Sequence, residues 1–376
     1  MARIQLENIT KKYKEKIAVD NLSLDIHDNE FFVLFGPAGA GKTTTLKVIA
    51  GIEFPQEGLV KIGGEIVNLI EPMYRNVSMV FENYALYPHL SVYDNIAFPL
   101  RSKRYKKDED YIKNAVEKVI KMMNMHNVEG IYSRRPSQLS NGQRQRVAIG
   151  RCLVREPNVF LMDEPLAHLD AKLRHFMRGE LKEMQSAFNT TTIYVTHDFM
   201  EAMSLADRIA VMNNGKIEQL GTSLQMYYTP INEFVARLFG EPEINIFPGE
   251  LKNEGGKPAL KTLGATLELE QDAAQAITSA GVTDLDIGLR GTDVSFSFSE
   301  QKAGALKGSV FTVEPIGNKV IMTVETDGTH IRIAAPNDTQ ANLDQTVYIN
   351  FNMKNALYFN RSNQLFITRS GIENYR

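Results

Sequence analysis

The stretch Gly36-Pro37-Ala38-Gly39-Ala40-Gly41-Lys42-Thr43, with Thr44 behind it, carries the densest chemistry in this chain. Glycines at 36, 39 and 41 let the backbone turn tightly enough for successive N–H groups to point at phosphate oxygens. Lys42 is placed to bridge β- and γ-phosphates, and the Thr43 hydroxyl to ligate Mg²⁺. A second cluster, Asp163-Glu164, ends the apolar run Val159–Met162. A carboxylate at a strand's end can hold the shell of a metal ion while its neighbour polarises an attacking water. The adjacent Glu164 favours hydrolysis over transfer to a bound acceptor. A third stretch, Leu139-Ser140-Asn141-Gly142-Gln143, opens a helical pattern that runs through Arg151. A serine hydroxyl, a glycine backbone and a helix N-terminus make a second anion site. Together these spacings imply a chain that binds a nucleoside triphosphate.

The elements that must hold these residues are also legible. Phe31–Phe35 is a continuous apolar run, as expected of a central strand covered on both faces, and it leads straight into the glycine loop. Beyond the loop, Leu46, Ile49 and Ala50 share one helical face. Val159–Met162 and Ile193–Val195 read as further buried strands. Gly63-Gly64 and Asn214-Gly215 sit between strand-like runs, which predicts two hairpins. Ile112, Val116, Val119, Ile120 and Met123 recur at helical spacing between about 105 and 125. Alternation of strands with helices predicts an α/β fold. After Gly240-Glu241-Pro242 the texture changes to short alternating runs such as Val294–Phe298, His330–Ile333 and Val347–Phe351, which predict a small all-β domain of barrel type. The expected domains are 1–239 and 240–376. Cys152, with Ala148, Ile149 and Leu153, falls on an apolar helix face and is expected to be buried.

Composition excludes several other classes. Forty-two Lys+Arg against forty-five Asp+Glu leave a net charge of −3, so no global field draws the chain to nucleic acid. A 43 % hydrophobic and 23 % charged composition is that of a folded protein. A single cysteine offers neither an internal disulfide nor a thiol cluster for metal. No apolar run approaches the ~20 residues of a transmembrane helix, and the N-terminus lacks the apolar core of a secretory signal.

With the three motifs in this order, residues 2–240 resemble the ATP-binding-cassette (ABC) ATPases. The resemblance implies a mixed sheet with a helical subdomain at about 84–155, and roles for named positions. Tyr13 matches the aromatic that stacks on adenine. Gly36 to Thr44 hold the phosphates of ATP, and Asp163 joins Thr43 in supporting Mg²⁺. Glu164 matches the general base, and His197 in Val195-Thr196-His197-Asp198 the histidine that contacts the γ-phosphate. Asp170 matches the loop crossing a dimer interface, while Ser140, Gly142 and Gln143 reach ATP held by the partner. Hydrolysis then requires a second ATPase subunit, either an identical copy or a paralogue.

Val80 to Phe98 closely resembles the corresponding loop of sugar-importer ATPases of the maltose and glycerol-3-phosphate type. Tyr84, Leu86, Tyr87 and Phe98 suit a groove for a permease helix. Ile287–Arg290 and Val313–Gly317 look like the regulatory β-domain behind such cassettes. The implied assembly has two integral-membrane permease subunits, an extracytoplasmic solute-binding protein acting indirectly, and the ATPase peripheral on the cytoplasmic face of the cell membrane. The same machine serving polyamine or sulfate is an alternative, and a non-transport ABC ATPase a more distant one. No nucleic-acid partner is expected, because the tail lacks basic–aromatic interleaving. Three positions depart from the family pattern. Glu82 stands where Gln is usual and is expected to remain an oxygen ligand for Mg²⁺. Asn141 replaces a Gly, and His168 replaces a small polar residue and is read as a solvated surface side chain.

Overall fold

The computed structural model describes residues 2–102, 105–188, 190–254, 257–300 and 305–370. It divides into two compact units, Met1–Ser223 and Leu224–Arg376. The first unit runs β1 (Ile4–Tyr13), β2 (Lys16–Ile26), β3 (Phe31–Phe35), α1 (Lys42–Ala50), β4 (Glu57–Ile62), β5 (Glu65–Ile66), β6 (Val77–Val80), α2 (Val92–Ala97), α3 (Glu109–Met122) and α4 (Asn141–Leu153). It continues with β7 (Val159–Asp163), α5 (Ala171–Phe188), β8 (Thr191–Thr196), α6 (Phe199–Leu205), β9 (Arg208–Asn213) and β10 (Lys216–Gly221).

Its strands form two sheets, ordered β2-β1-β4-β5 and β10-β9-β3-β8-β7-β6. In the second, β9, β3, β8, β7 and β6 are parallel and only β10 runs against its neighbour. Every residue of β3, β7 and β8 is buried. That is why these three segments read as unbroken apolar runs: both faces of the strand are covered. Phe32, Leu34, Leu161, Ile193 and Val195 from this sheet share one core with Ile4, Ile26 and Val60 of the other sheet and with Leu46 and Ile49 of α1. Both expected hairpins form. Ile62 pairs with Glu65 across Gly63-Gly64, and Asn213 with Lys216 across Asn214-Gly215.

The helices sit where periodicity places them. Asp108 caps α3 by accepting the Tyr111 N–H at 2.7 Å, and Ile112, Val116, Val119 and Ile120 are its buried face. Arg75 closes the other end of α1: its Nη1 donates to the carbonyls of Val48 and Ile49 at 3.0 and 2.9 Å, where a cation also suits the helix dipole. Cys152 is buried as expected, with Sγ 3.3 Å from the Met79 carbonyl, and burial pushes its thiol up to about 11.

The second unit holds α7 (Ser223–Tyr228), α8 (Glu233–Leu238), β11 (Asn245–Glu254), β12 (Lys257–Thr262), β13 (Ala265–Glu268), α9 (Gln271–Ser279), β14 (Asp284–Leu289) and β15 (Val294–Ser297). After these come β16 (Leu306–Ile316), β17 (Lys319–Thr326), β18 (Thr329–Pro336), β19 (Thr346–Phe351), β20 (Leu357–Asn360) and β21 (Phe366–Arg369). The all-β expectation takes the form of two sheets, β13-β12-β11-β14-β20-β21 and β15-β19-β16-β17-β18, around one core. Three helices accompany them. The units part at Ser223, ahead of the expected 239/240 boundary, because α7 and α8 are held by the strands that follow. Arg290 donates to the carbonyls of Tyr227, Ala236 and Phe239, and Asn232 forms a β-bridge with Leu365. Gly240-Glu241-Pro242 does break the helical run, but that break lies inside the second unit rather than at its edge. Among the described residues, no helix is long and apolar enough to cross a membrane.

Candidate active site

The ends of β3, β7 and β8 converge on one spot because the three strands are parallel neighbours in register, Leu34 opposite Val195 and Asp163 opposite Val195 on the other side. The glycine loop leaves β3 there and turns into α1. Gly41 is the residue before α1 and has φ 103°; a Cβ on it would lie 2.4 Å from the Ala18 carbonyl oxygen, so no other residue fits. This puts the first N–H groups of α1 and Lys42 at the loop's mouth, which is the arrangement that binds phosphate.

Lys42 is 5 % exposed, and its Nζ donates to the carbonyls of Gly36 and Pro37 at 2.8 and 2.9 Å. Its ammonium lies 4.0 Å from Glu164 Oε1. Burial lowers the Lys42 pKa, and the charges of Glu164 and Asp163 oppose that shift. The Thr43 hydroxyl donates to Asp163 Oδ1 at 2.8 Å. Burial, and then the charges of Glu164 and Glu82, hold the Asp163 carboxyl above its usual range, against the Thr43 hydrogen bond. Glu164 adopts φ 44°, an unusual conformation for a non-glycine residue. Its N–H donates to the Val195 carbonyl at 3.0 Å, and its Oε2 lies 2.9 Å from His197 Nδ1. Lys42, Thr43, Asp163, Glu164 and His197 thus form one contiguous constellation.

Tyr13, at the end of β1, joins it from the side. It is 41 % exposed, and has Lys11 Nζ 5.1 Å from its ring centroid. An exposed ring beside the loop can stack on a base. Ser140, Gly142 and Gln143 stand apart. Ser140 accepts the Gln143 N–H at 3.3 Å while Gln143 Oε1 accepts the Ser140 N–H at 3.1 Å, a reciprocal cap on α4. Among the described residues, no hydrogen bond joins them to the glycine loop. A Cβ on Gly142 would meet Leu173 of α5 at 2.7 Å, so the two helix starts approach closely. Asp170 caps α5 by accepting the Leu173 N–H at 2.9 Å.

Residues outside the motifs hold the histidine side in place. Arg174 Nη1 donates to Asp198 Oδ2 at 2.9 Å, and Nη2 to the Leu169 carbonyl at 3.3 Å. Buried Glu201 accepts from the Tyr194 and Thr196 hydroxyls at 2.9 and 2.7 Å, with Arg174 3.8 Å away. Arg174 therefore ties the Leu169-Asp170 loop to the residue after His197. No motif singles it out; its position on α5 becomes meaningful only once α5 packs beside α6.

The donor set fits Mg²⁺. Among the described residues no cluster of three or more His, Cys, Asp or Glu side chains could hold a metal alone. A hydroxyl, Thr43, and the carboxylates of Asp163 and Glu82, with the rest supplied by phosphate and water, match the way Mg²⁺ is usually held at a nucleotide. Away from this constellation, a cavity of about 390 Å³ is lined by Met73, Phe81, Tyr87, Phe98, Tyr105 and Arg151 among others. Tyr87 and Phe98 have ring centroids 4.6 Å apart. Of the four residues expected in a groove, these two line it. Tyr84 is buried and Leu86 half-buried, and neither takes part.

Comparison with known proteins agrees with this geometry. The family model described as ABC transporter matches residues 19–167. The oligosaccharides import ATP-binding protein MsmX of Bacillus subtilis is 40 % identical over 98 % of this chain and 100 % of its own length. The sn-glycerol-3-phosphate import ATP-binding protein UgpC of Rhizobium meliloti is 46 % identical over 76 % of this chain and 80 % of its own. Among solved structures, a dimeric ATP-binding cassette in a post-hydrolysis state with ADP and Pi matches at a TM-score of 0.54 and 31 % identity, covering 58 % of this chain and 98 % of that one. A phosphate loop backed by paired carboxylates, and relatives of 40 and 46 % identity covered over 100 and 80 % of their own length, lead to one conclusion: the chain belongs to the ABC transporter family, among its ATP-binding proteins.

Proposed function

We propose that this chain is the ATP-hydrolysing subunit of an importer for a sugar or sugar-like solute, such as an oligosaccharide, a polyol or glycerol-3-phosphate. The solute class rests on the import proteins it resembles. The observation that carries the catalytic reading is Glu164, set between His197 at 2.9 Å and Lys42 at 4.0 Å at the mouth of the glycine loop. In this reading Gly36 to Thr44 grip the phosphates and Tyr13 stacks on adenine. Thr43, Asp163 and Glu82 hold Mg²⁺, which would neutralise charge on the phosphates. Glu164 takes the proton of the attacking water, and His197 orients Glu164 and the γ-phosphate.

Ser140, Gly142, Gln143 and Asp170 form a surface that serves the nucleotide of a second ATPase subunit, identical or paralogous. Their separation from the glycine loop within one chain supports this. ATP then favours the closed pair because contacts to Lys42 on one side and Ser140 on the other exist only there. The cavity with Tyr87, Phe98 and Arg151 fits an amphipathic helix of a permease, which would put the chain on the cytoplasmic face of the membrane with two permease subunits. A solute-binding protein outside the membrane would act through them. Phosphate release by purified protein tests the core of this reading. Glu164→Gln should lower it at least ~100-fold while nucleotide binding persists. Ser140→Ala should also lower it, without changing the fold. Full turnover in the Ser140 variant would sink the paired-cassette reading.

A further inference from the structure

Inside the second unit, two buried arginines line one cavity. It measures about 170 Å³ and is walled by Arg290, Arg369, Asp293, Asn355, Tyr227 and Tyr228. Both arginines are 5 % exposed, whereas Thr292, also in the lining, is exposed and marks the mouth. Arg290 follows β14, Arg369 ends β21 and the two tyrosines end α7, so the walls come from segments far apart in sequence. At the ~30 Å³ that a water occupies in the liquid, the cavity takes roughly six non-hydrogen atoms. That is room for a phosphate or a carboxylate on a short carbon chain, and too little for a nucleotide.

The walls carry more positive than negative charge. Arg290 donates to main-chain carbonyls, Nη1 to those of Ala236 and Phe239 and Nη2 to that of Tyr227 at 2.8 Å, while its Nε has no partner among the described residues. A carbonyl satisfies an N–H without cancelling the charge behind it. The Tyr227 and Tyr228 rings offset part of it, with the guanidinium carbons of Arg290 and Arg369 4.0 and 4.5 Å from their centroids. Asp293 is the acidic side chain among the groups that act on Arg290, and its carboxylate also accepts from Asn355 Nδ2 at 2.5 Å. Asn355 Oδ1 in turn accepts from Arg369 Nη2 at 3.1 Å. Two guanidinium groups therefore face one carboxylate. Burial lowers the Arg290 pKa to about 10, and the charge of Arg369 acts in the same direction. Buried charge lacking a full counter-charge is costly, and an anion in the cavity would offset that cost.

We propose that this cavity binds a small metabolite through its phosphate or carboxylate group, held between Arg290 and Arg369 with the tyrosine rings against its carbon chain. The planar forks of two arginines suit either anion. The site shares no residue with the glycine loop and does not depend on the ATP-binding reading. Because Arg290 also holds α7 and α8 through their carbonyls, an occupant would brace both helices on the strands of the second unit.

The test uses the full-length protein with ADP and Mg²⁺ in excess, so that the glycine loop is filled. It is titrated calorimetrically with inorganic phosphate, with malonate, and with glycerol as a neutral control. One site per chain is expected for at least one of the two anions, with a Kd below ~1 mM, and no heat from glycerol. Tighter phosphate binding assigns the site to a phosphorylated metabolite, and tighter malonate binding to a carboxylate. Arg369→Gln should weaken the favoured anion at least ~tenfold, as the loss of a charge-assisted hydrogen bond does. Thr292→Glu, which sets a carboxylate at the exposed mouth, should weaken it about fivefold and decides the matter if Arg369→Gln does not fold. A Kd above ~1 mM for both anions, or binding unchanged by Arg369→Gln (by Thr292→Glu where the former does not fold), overturns the proposal. Phosphate binding that appears only without ADP and survives Arg369→Gln belongs to the glycine loop and counts against the cavity. If ADP itself does not bind, the ATP-binding reading falls, and the malonate titration still decides this one.

Discussion

At the scale of single residues, the site's chemistry is carried by side chains whose neighbours restrict them to one arrangement. Thr43 and Asp163 share a hydrogen bond of 2.8 Å although 120 positions separate them in the chain. Glu164 and His197 are joined across 33 positions. The types and order of these residues were legible because phosphate binding needs a glycine loop, a lysine and a hydroxyl at set spacing. Arg174 was not, since an arginine on a helix carries no signal until its partners are known. Arg174→Ala removes the cation shared by Asp198 and Glu201 and frees the Leu169 carbonyl. We expect ~1–3 kcal/mol lower stability in denaturant melts. ATP turnover should fall further than the unfolded fraction explains, because His197 loses the brace beside it.

Among elements, the parallel sheet and its helices set where the site forms. α1 is tied down at both ends, by the Gly41 turn at its start and by Arg75 at its close. Arg75→Ala would leave the Val48 and Ile49 carbonyls buried without that donor. A loss of ~1–3 kcal/mol is expected, measurable as a lower melting temperature that nucleotide partly restores. In the second unit, α8 carries Glu233, where burial and then the charge of Asp286 push the carboxyl up to about 7 from an ordinary 4.5. Because the folded state holds this proton more tightly than the unfolded chain, it favours folding at low pH. That contribution is lost as pH rises from about 4.5 through about 7. Thermal melts should show the second unit more stable at pH 5.5 than at pH 8, with Glu233→Gln flattening the difference. A slope unchanged by that substitution would assign it to another group. Periodicity located α3 and the hairpins, because Ile112 to Ile120 and the Gly63-Gly64 and Asn214-Gly215 turns depend on local geometry. It did not show that α7 and α8 belong with the strands after them, since the Arg290 contacts that hold them span more than fifty residues of chain.

For the whole molecule, the separation of Ser140 from the glycine loop has a consequence for assembly. With Glu164 in the role proposed above, the Glu164→Gln variant should bind ATP without clearing it and sediment as a dimer with ATP and as a monomer without, provided one chain pairs with itself. Adding Ser140→Ala should weaken that shift about tenfold in ATP concentration. A dimer indifferent to ATP would speak against nucleotide-driven closure. The chemistry of this protein was determined by the sequence itself: a phosphate loop, paired carboxylates and a capped helix are local patterns whose spacing is dictated by backbone geometry and by the size of a phosphate group. Tertiary structure alone decided which distant residues meet. The bridge from Arg174 to Asp198, the boundary at Ser223 and the cavity shared by Arg290 and Arg369 each depend on how separately formed helices, strands and loops pack. Packing is a property of surfaces brought together by folding, and no window of consecutive residues contains it.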